Sequence, residues 1–147
     1  MIAVDAFVLE RSLDDDGPWG AVTRDLLREL GRGKAPWAMP WSAVADFMCI
    51  AVSGERSQPL LVERAAQIVD GWLASPSLRL LSIGPRTFAI HRELVRSRRG
   101  SDPQPLEDLG LSVALCVEHG IGRLISFGLE EPRVEIGGVL VTRPSLS

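Results

Sequence analysis

Asp5 and Asp46 make the clearest chemical demands of any residues in this sequence. Asp5 follows Ile2-Ala3-Val4, a short apolar run with two β-branched residues that suits a strand buried on both faces. A carboxylate at the C-terminal end of such a strand stands where open α/β sheets bind ligands, so it is a candidate metal ligand or acid/base group. It is also a good N-cap for a following helical turn, and the sequence leaves both readings open. Asp46 sits in the middle of Trp41 to Val52, a segment apolar nearly all round and therefore expected to form a buried helix. A carboxylate there must be paired, hydrogen-bonded or bound to a cation, unless the helix presents an edge to solvent. Two histidines and two widely separated cysteines offer no zinc constellation, which leaves oxygen ligands for a hard cation. Cys49 and Cys116 each lie in an apolar helical pattern and are expected to be buried thiols.

The elements that would position these acids follow from periodicity. After the first strand, a turn cluster at Asp14 to Pro18 precedes a helix over Trp19 to Leu30, stopped by Gly31 and Gly33. The Gly-x-Gly-Lys of residues 31 to 34 follows a helix and precedes Pro36, the reverse of a phosphate loop's context, and carries no weight. Ala35 to Met39 reads as a second strand, with Pro40 at the first turn of the Asp46 helix. Ser57 to Leu73 is predicted as a helix, Leu78 to Ile83 as a strand, and Arg86 to Arg99 as a helix with Phe88, Ile90, Leu94 and Val95 inward. The arginines closing that helix suit its dipole or an RNA backbone. A polar loop over Gly100 to Pro105 leads to a helix from Leu106 to His119, whose first-turn acids Glu107 and Asp108 stand off its apolar stripe and complement the positive helix end. Arg123 to Ser126 is a further strand, and Val134 to Ile136 and Val139 to Val141 flank Gly137-Gly138 as a late strand or hairpin. The order predicts a three-layer α/β/α fold on a mainly parallel four- or five-stranded sheet, with residues 1–147 as one domain.

Composition narrows the function classes. Apolar residues make up 46% and charged residues 24%, with a net charge of −3, so any nucleic-acid binding must use a local patch and not a basic global field. No apolar run approaches a membrane span and no export signal is legible, so the expectation is cytoplasmic. Fifteen of the sixteen basic residues are arginine and Asn and Tyr are missing, which reads as compositional bias and not as function.

With these elements in place the chain resembles the PIN domain, and within it the small VapC-type ribonuclease toxins of bacterial toxin–antitoxin pairs. The resemblance rests on Met-Ile-Ala-Val-Asp-Ala at the start, on Pro-Trp followed by an apolar helix carrying Asp46, and on Val-Ala-Leu-Cys-Val-Glu-His-Gly leading into Leu124-Ile125-Ser126. It implies a metal-dependent endoribonuclease, the toxin of a type II system, with Mg2+ or Mn2+ held at the C-terminal edge of the sheet. Asp5, Asp46 and Asp108 are the implied catalytic ligands, with Glu107 and Glu130 as further metal ligands. RNA is the implied substrate, a cognate antitoxin protein the partner, and a homodimer the assembly, which four tryptophans also favour. Acids from separate elements would let protein oxygens cover one face of the cation and leave water on the other. That cation would polarise a phosphodiester oxygen and lower the pKa of an attacking water.

The sequence departs from the family pattern at each site. Phe7 stands where a polar residue is usual, Asp46 is one methylene shorter than the usual Glu, and the third acid's position falls on Leu109. Asp108 and Glu107 lie one and two residues earlier, about 100° per residue around a helix. Ser126-Phe127-Gly128-Leu129 lacks the fourth acid, with only Glu130 and Glu131 nearby. The alternative reading is therefore a catalytically degenerate PIN-like domain acting as a binding or dimerisation module.

Overall fold

The computed structural model describes residues 1–98 and 106–146. In chain order these form β1 (Ile2–Val4), α1 (Ala6–Arg11), α2 (Pro18–Arg32), β2 (Trp37–Pro40), α3 (Trp41–Ala51), α4 (Val62–Leu73), β3 (Leu78–Leu81), α5 (Thr87–Ser97), α6 (Leu106–Glu118), β4 (Arg123–Ile125), β5 (Arg133–Ile136) and β6 (Val139–Thr142). The strands make one sheet in the order β3-β2-β1-β4-β6-β5, parallel throughout except for the antiparallel β5–β6 pair. The prediction of four or five strands falls short because both segments around Gly137-Gly138 are strands. Those glycines have φ of 59° and 83°, the left-handed pair that a two-residue hairpin of the right twist requires, and the hairpin adds β6 beside β4 and β5 at the edge.

Strand pleating assigns the two faces. Ala3, Ala38 and Leu124 pack on one side, where α5 and α6 contribute Leu94, Leu109, Val113 and Cys116. Their chain neighbours Val4, Trp37, Met39 and Ile125 face the other side, where α1 to α4 contribute Val8, Leu27, Phe47 and Val69. Helices on both faces explain why β1 and β2 read as continuous apolar runs and not as alternating ones. The order of strands reverses between β1 and β4, so the C-terminal ends of these two strands flank the switch point where open sheets bind ligands. No helix of the described residues is long and apolar enough to cross a membrane.

Four expectations need correction. The helix α3 is not buried all round: Ala43, Val44, Phe47 and Ala51 face the core, whereas Trp41, Ala45, Asp46 and Cys49 are exposed. Asp46 therefore stands on a solvated edge, and Cys49 is not a buried thiol, although Cys116 is. The helix α4 starts at Val62 and not at Ser57, because Pro59 holds the preceding residues out of helix and the Leu60 N–H donates to the Ala51 carbonyl at 2.8 Å. In α5 the inward positions are Thr87, Ile90 and Leu94, which leaves Phe88 71% and Val95 50% exposed. A buried threonine sets that phase: the Thr87 hydroxyl donates to the Glu118 carboxylate and accepts from the Gly84 N–H at 2.9 Å. Hydrophobic periodicity cannot see a polar anchor of that kind. The predicted loop over Gly100 to Pro105 and the helix end at Arg99 lie outside the described residues.

Candidate functional site: an acidic cleft at the switch point

The chain leaves β1 at Asp5 with φ −110° and ψ −177° and turns at once into α1. The Val8 N–H donates to Asp5 Oδ1 at 3.2 Å, so Asp5 is the N-cap of that helix. Only 2% of Asp5 is exposed, and its Oδ2 has no hydrogen-bond partner among the described residues. Burial pushes its carboxyl up from 3.8 to about 6, with the neighbouring Ser126 hydroxyl and the Val8 and Phe7 N–H groups tempering the rise. Ser126 is fully buried at the end of β4, directly after the Val4–Ile125 pair, and its Oγ accepts from the Gly128 N–H at 2.9 Å. Behind Asp5, burial first and the Asp5 charge second push the Cys116 thiol up to about 12.

A cleft of about 390 Å³ opens here, and Asp5, Asp46, Glu107 and Asp108 all line it. Four of the five predicted acids thus reach one place from β1, α3 and α6. Glu130 does not line it; that residue follows β4, and its backbone carbonyl accepts from Arg143 Nη1 at 3.2 Å. Glu10 and Cys49 also line the cleft and were not foreseen. Each follows from helical spacing once the helix is known: Glu10 is three residues after Phe7 on α1, and Cys49 three after Asp46 on α3.

Within the cleft the acids differ in environment. Asp46, Glu107 and Asp108 are exposed, whereas Asp5 lies at the bottom. Glu107 is held by Arg98 at 3.2 Å, and its carboxyl is kept below the usual range by its own backbone N–H and then by that guanidinium. A Cβ at Gly128 would meet Leu109 Cδ2 at 3.0 Å, Phe7 Cε2 at 3.1 Å and Ser126 Oγ at 3.2 Å, so Phe7 and the fully buried Leu109 close together over this glycine. Among the described residues no three of the His, Cys, Asp and Glu side chains converge closely enough to hold an ion. One buried carboxylate at the bottom with the others spread along a rim does not present the convergent face of protein oxygens that a hard divalent cation takes, water completing the rest of its shell.

No protein-family model and no curated protein matches this sequence. Among solved structures, the chain is similar to the Mycobacterium tuberculosis toxin VapC20, a sarcin–ricin loop cleaving toxin, with a TM-score of 0.60 over 86% of this chain and 89% of that one, at 12% identity. At that identity the likeness is one of fold: the mostly parallel sheet with helices on both faces is PIN-like.

Proposed function

We propose that this chain is a catalytically degenerate PIN-like domain that serves as a binding or dimerisation module. The observation that carries the reading is the spread of the acids: among the described residues no three His, Cys, Asp or Glu side chains gather closely enough to hold an ion, and Asp5 lies at the bottom of the cleft while Asp46, Glu107 and Asp108 stand exposed. The retained task of Asp5 is structural, as the cap of α1.

A second copy of the chain is the proposed partner. The helix α3, the helix α4 and the end of β3 enclose a groove of about 650 Å³ whose walls include Trp41, Val44, Met48 and Ile83. Trp41 is 50% and Ile83 64% exposed, and β3 is the edge strand, so a two-fold pairing would cover both the apolar surface and the open strand edge.

One observation favours the other reading, namely that Asp5, Asp46, Glu107 and Asp108 share a cleft. On that reading the protein is a Mg2+- or Mn2+-dependent endoribonuclease and type II toxin, cutting RNA in the cytoplasm and restrained by an antitoxin. VapC20, which shares the fold, is a toxin that cleaves the sarcin–ricin loop. The deciding experiment incubates purified protein with structured and single-stranded RNA, in manganese and in chelator. The proposal predicts the same background cleavage in both; manganese-dependent cleavage that Asp5→Asn abolishes would establish the ribonuclease.

A further inference from the structure

A second cleft, on the helical layer away from the acids, has the opposite charge. It runs between α2 and α4, measures about 470 Å³, and shares no lining residue with the acidic cleft. Arg24, Arg28 and Arg32 reach it from successive turns of one face of α2, and Arg64 faces them from α4. None of its lining residues among those described is Asp or Glu, in a chain whose net charge is −3.

Two of the four guanidiniums are already committed. Arg24 Nη1 donates to the Ser12 and Asp14 carbonyls at 2.9 and 3.0 Å, and Arg28 pairs with Asp25 at 2.9 Å. Arg32 and Arg64 have no carboxylate within ion-pair distance among the described residues; Arg64 has only a long contact to Gln67, at 3.5 Å. The base of the cleft is rigid and partly aromatic. Trp37 Nε1 donates to Ser75 Oγ at 3.2 Å, Ser75 donates to the Gly31 carbonyl at 3.0 Å, and Trp72 is braced edge-on by Phe47 at 4.7 Å. Cations gathered round a hollow repel one another unless an anion joins them, and planar guanidinium forks match phosphate oxygens. A fixed indole beside them offers a face to a planar base.

We propose that the α2–α4 cleft binds nucleoside phosphates, free or within a single strand, through Arg32 and Arg64 with the base against Trp72. This site works without metal and independently of the state of the acidic cleft. The test uses the full-length protein in chelator. A fluorescein-labelled oligoadenylate is titrated by anisotropy, and adenosine monophosphate and triphosphate are titrated against tryptophan fluorescence, which Trp37 and Trp72 report.

The Arg32→Ala/Arg64→Ala protein should weaken binding about tenfold or more and flatten the salt dependence of the oligonucleotide by about 1.4 in log–log slope, two contacts at 0.7 each. Both arginines are exposed, and among the described residues neither pairs with a carboxylate, so circular dichroism should be unchanged. Arg92→Ala/Arg96→Ala on α5 removes the same charge and should leave affinity within about twofold. Competition by the mononucleotides places the source in the free pool; binding of the oligonucleotide alone places it in a strand, and either supports the site. Absence of binding, equal loss in the α5 control, or displacement by polyglutamate but not by nucleotides would overturn it.

Discussion

Replacing Asp5 by Asn removes a charge from the bottom of the acidic cleft while keeping the volume and the N-cap oxygen. In the folded chain the Asp5 carboxyl titrates at about 6 because it is buried, and in the unfolded chain at its ordinary 3.8. The folded state therefore holds its proton more tightly. This favourable contribution is fully present below 3.8 and is lost as pH rises through 6. The span between the two values corresponds to about 3 kcal/mol once ionisation is complete, at 1.36 kcal/mol per unit. Between about pH 4 and pH 8 roughly 2.5 kcal/mol of this is lost in the wild type, and Asp5→Asn, which does not titrate, keeps it. For a chain of this length that is a difference in Tm growing by about 5–10 °C across the range. Thermal unfolding of both proteins by circular dichroism in matched buffers measures it. A variant whose Tm advantage fails to grow with pH, or that is less stable at alkaline pH, would refute the assignment of Asp5 as a carboxyl whose burial outweighs its hydrogen bonds.

Gly20 has no room for a methyl group, since a Cβ would lie 1.7 Å from the Asp14 carbonyl oxygen that Arg24 also binds; Gly20→Ala should cost about 1–3 kcal/mol in urea unfolding, although Ala is the better helix former. Phe88 is solvent-facing on α5, so Phe88→Ser should change stability by no more than about 0.5 kcal/mol, where an inward phenylalanine would cost several. Light scattering at high concentration should give the mass of a dimer for the wild type and of a monomer for Trp41→Glu, and a wild-type monomer would exclude pairing through the α3–α4 groove.

The fold was largely legible because its signals are local. Ile2-Ala3-Val4 and Arg123-Leu124-Ile125 are short runs bounded by Asp5 and Ser126, and Pro40 marks the start of α3. The convergence of Asp5, Asp46, Glu107 and Asp108 on one cleft also followed from element order, since parallel strands bring their C-terminal ends to one edge. What escaped was set by tertiary contacts. The phase of α5 depends on Thr87 meeting Glu118, thirty-one residues away, and the solvent edge at Asp46 depends on how α3 meets its neighbours. The helix α1 is six residues long, below the length at which periodicity is readable, so Glu10 was invisible. The arginine cleft needed α2 and α4 side by side, and neither helix alone shows it.

If the acidic cleft is degenerate, as proposed, it binds no catalytic cation, and a manganese titration of thermal stability distinguishes the two readings. A specific site would raise the Tm of the wild type in a saturable manner, by about 2.7 kcal/mol of stabilisation at a hundredfold excess over its Kd, and Asp5→Asn would lose that rise. The proposed degenerate site gives no saturable rise in either protein, the Asp5→Asn curve staying offset from the wild type only by its own Tm advantage at that pH; a saturable increase in the wild type that Asp5→Asn abolishes would overturn it.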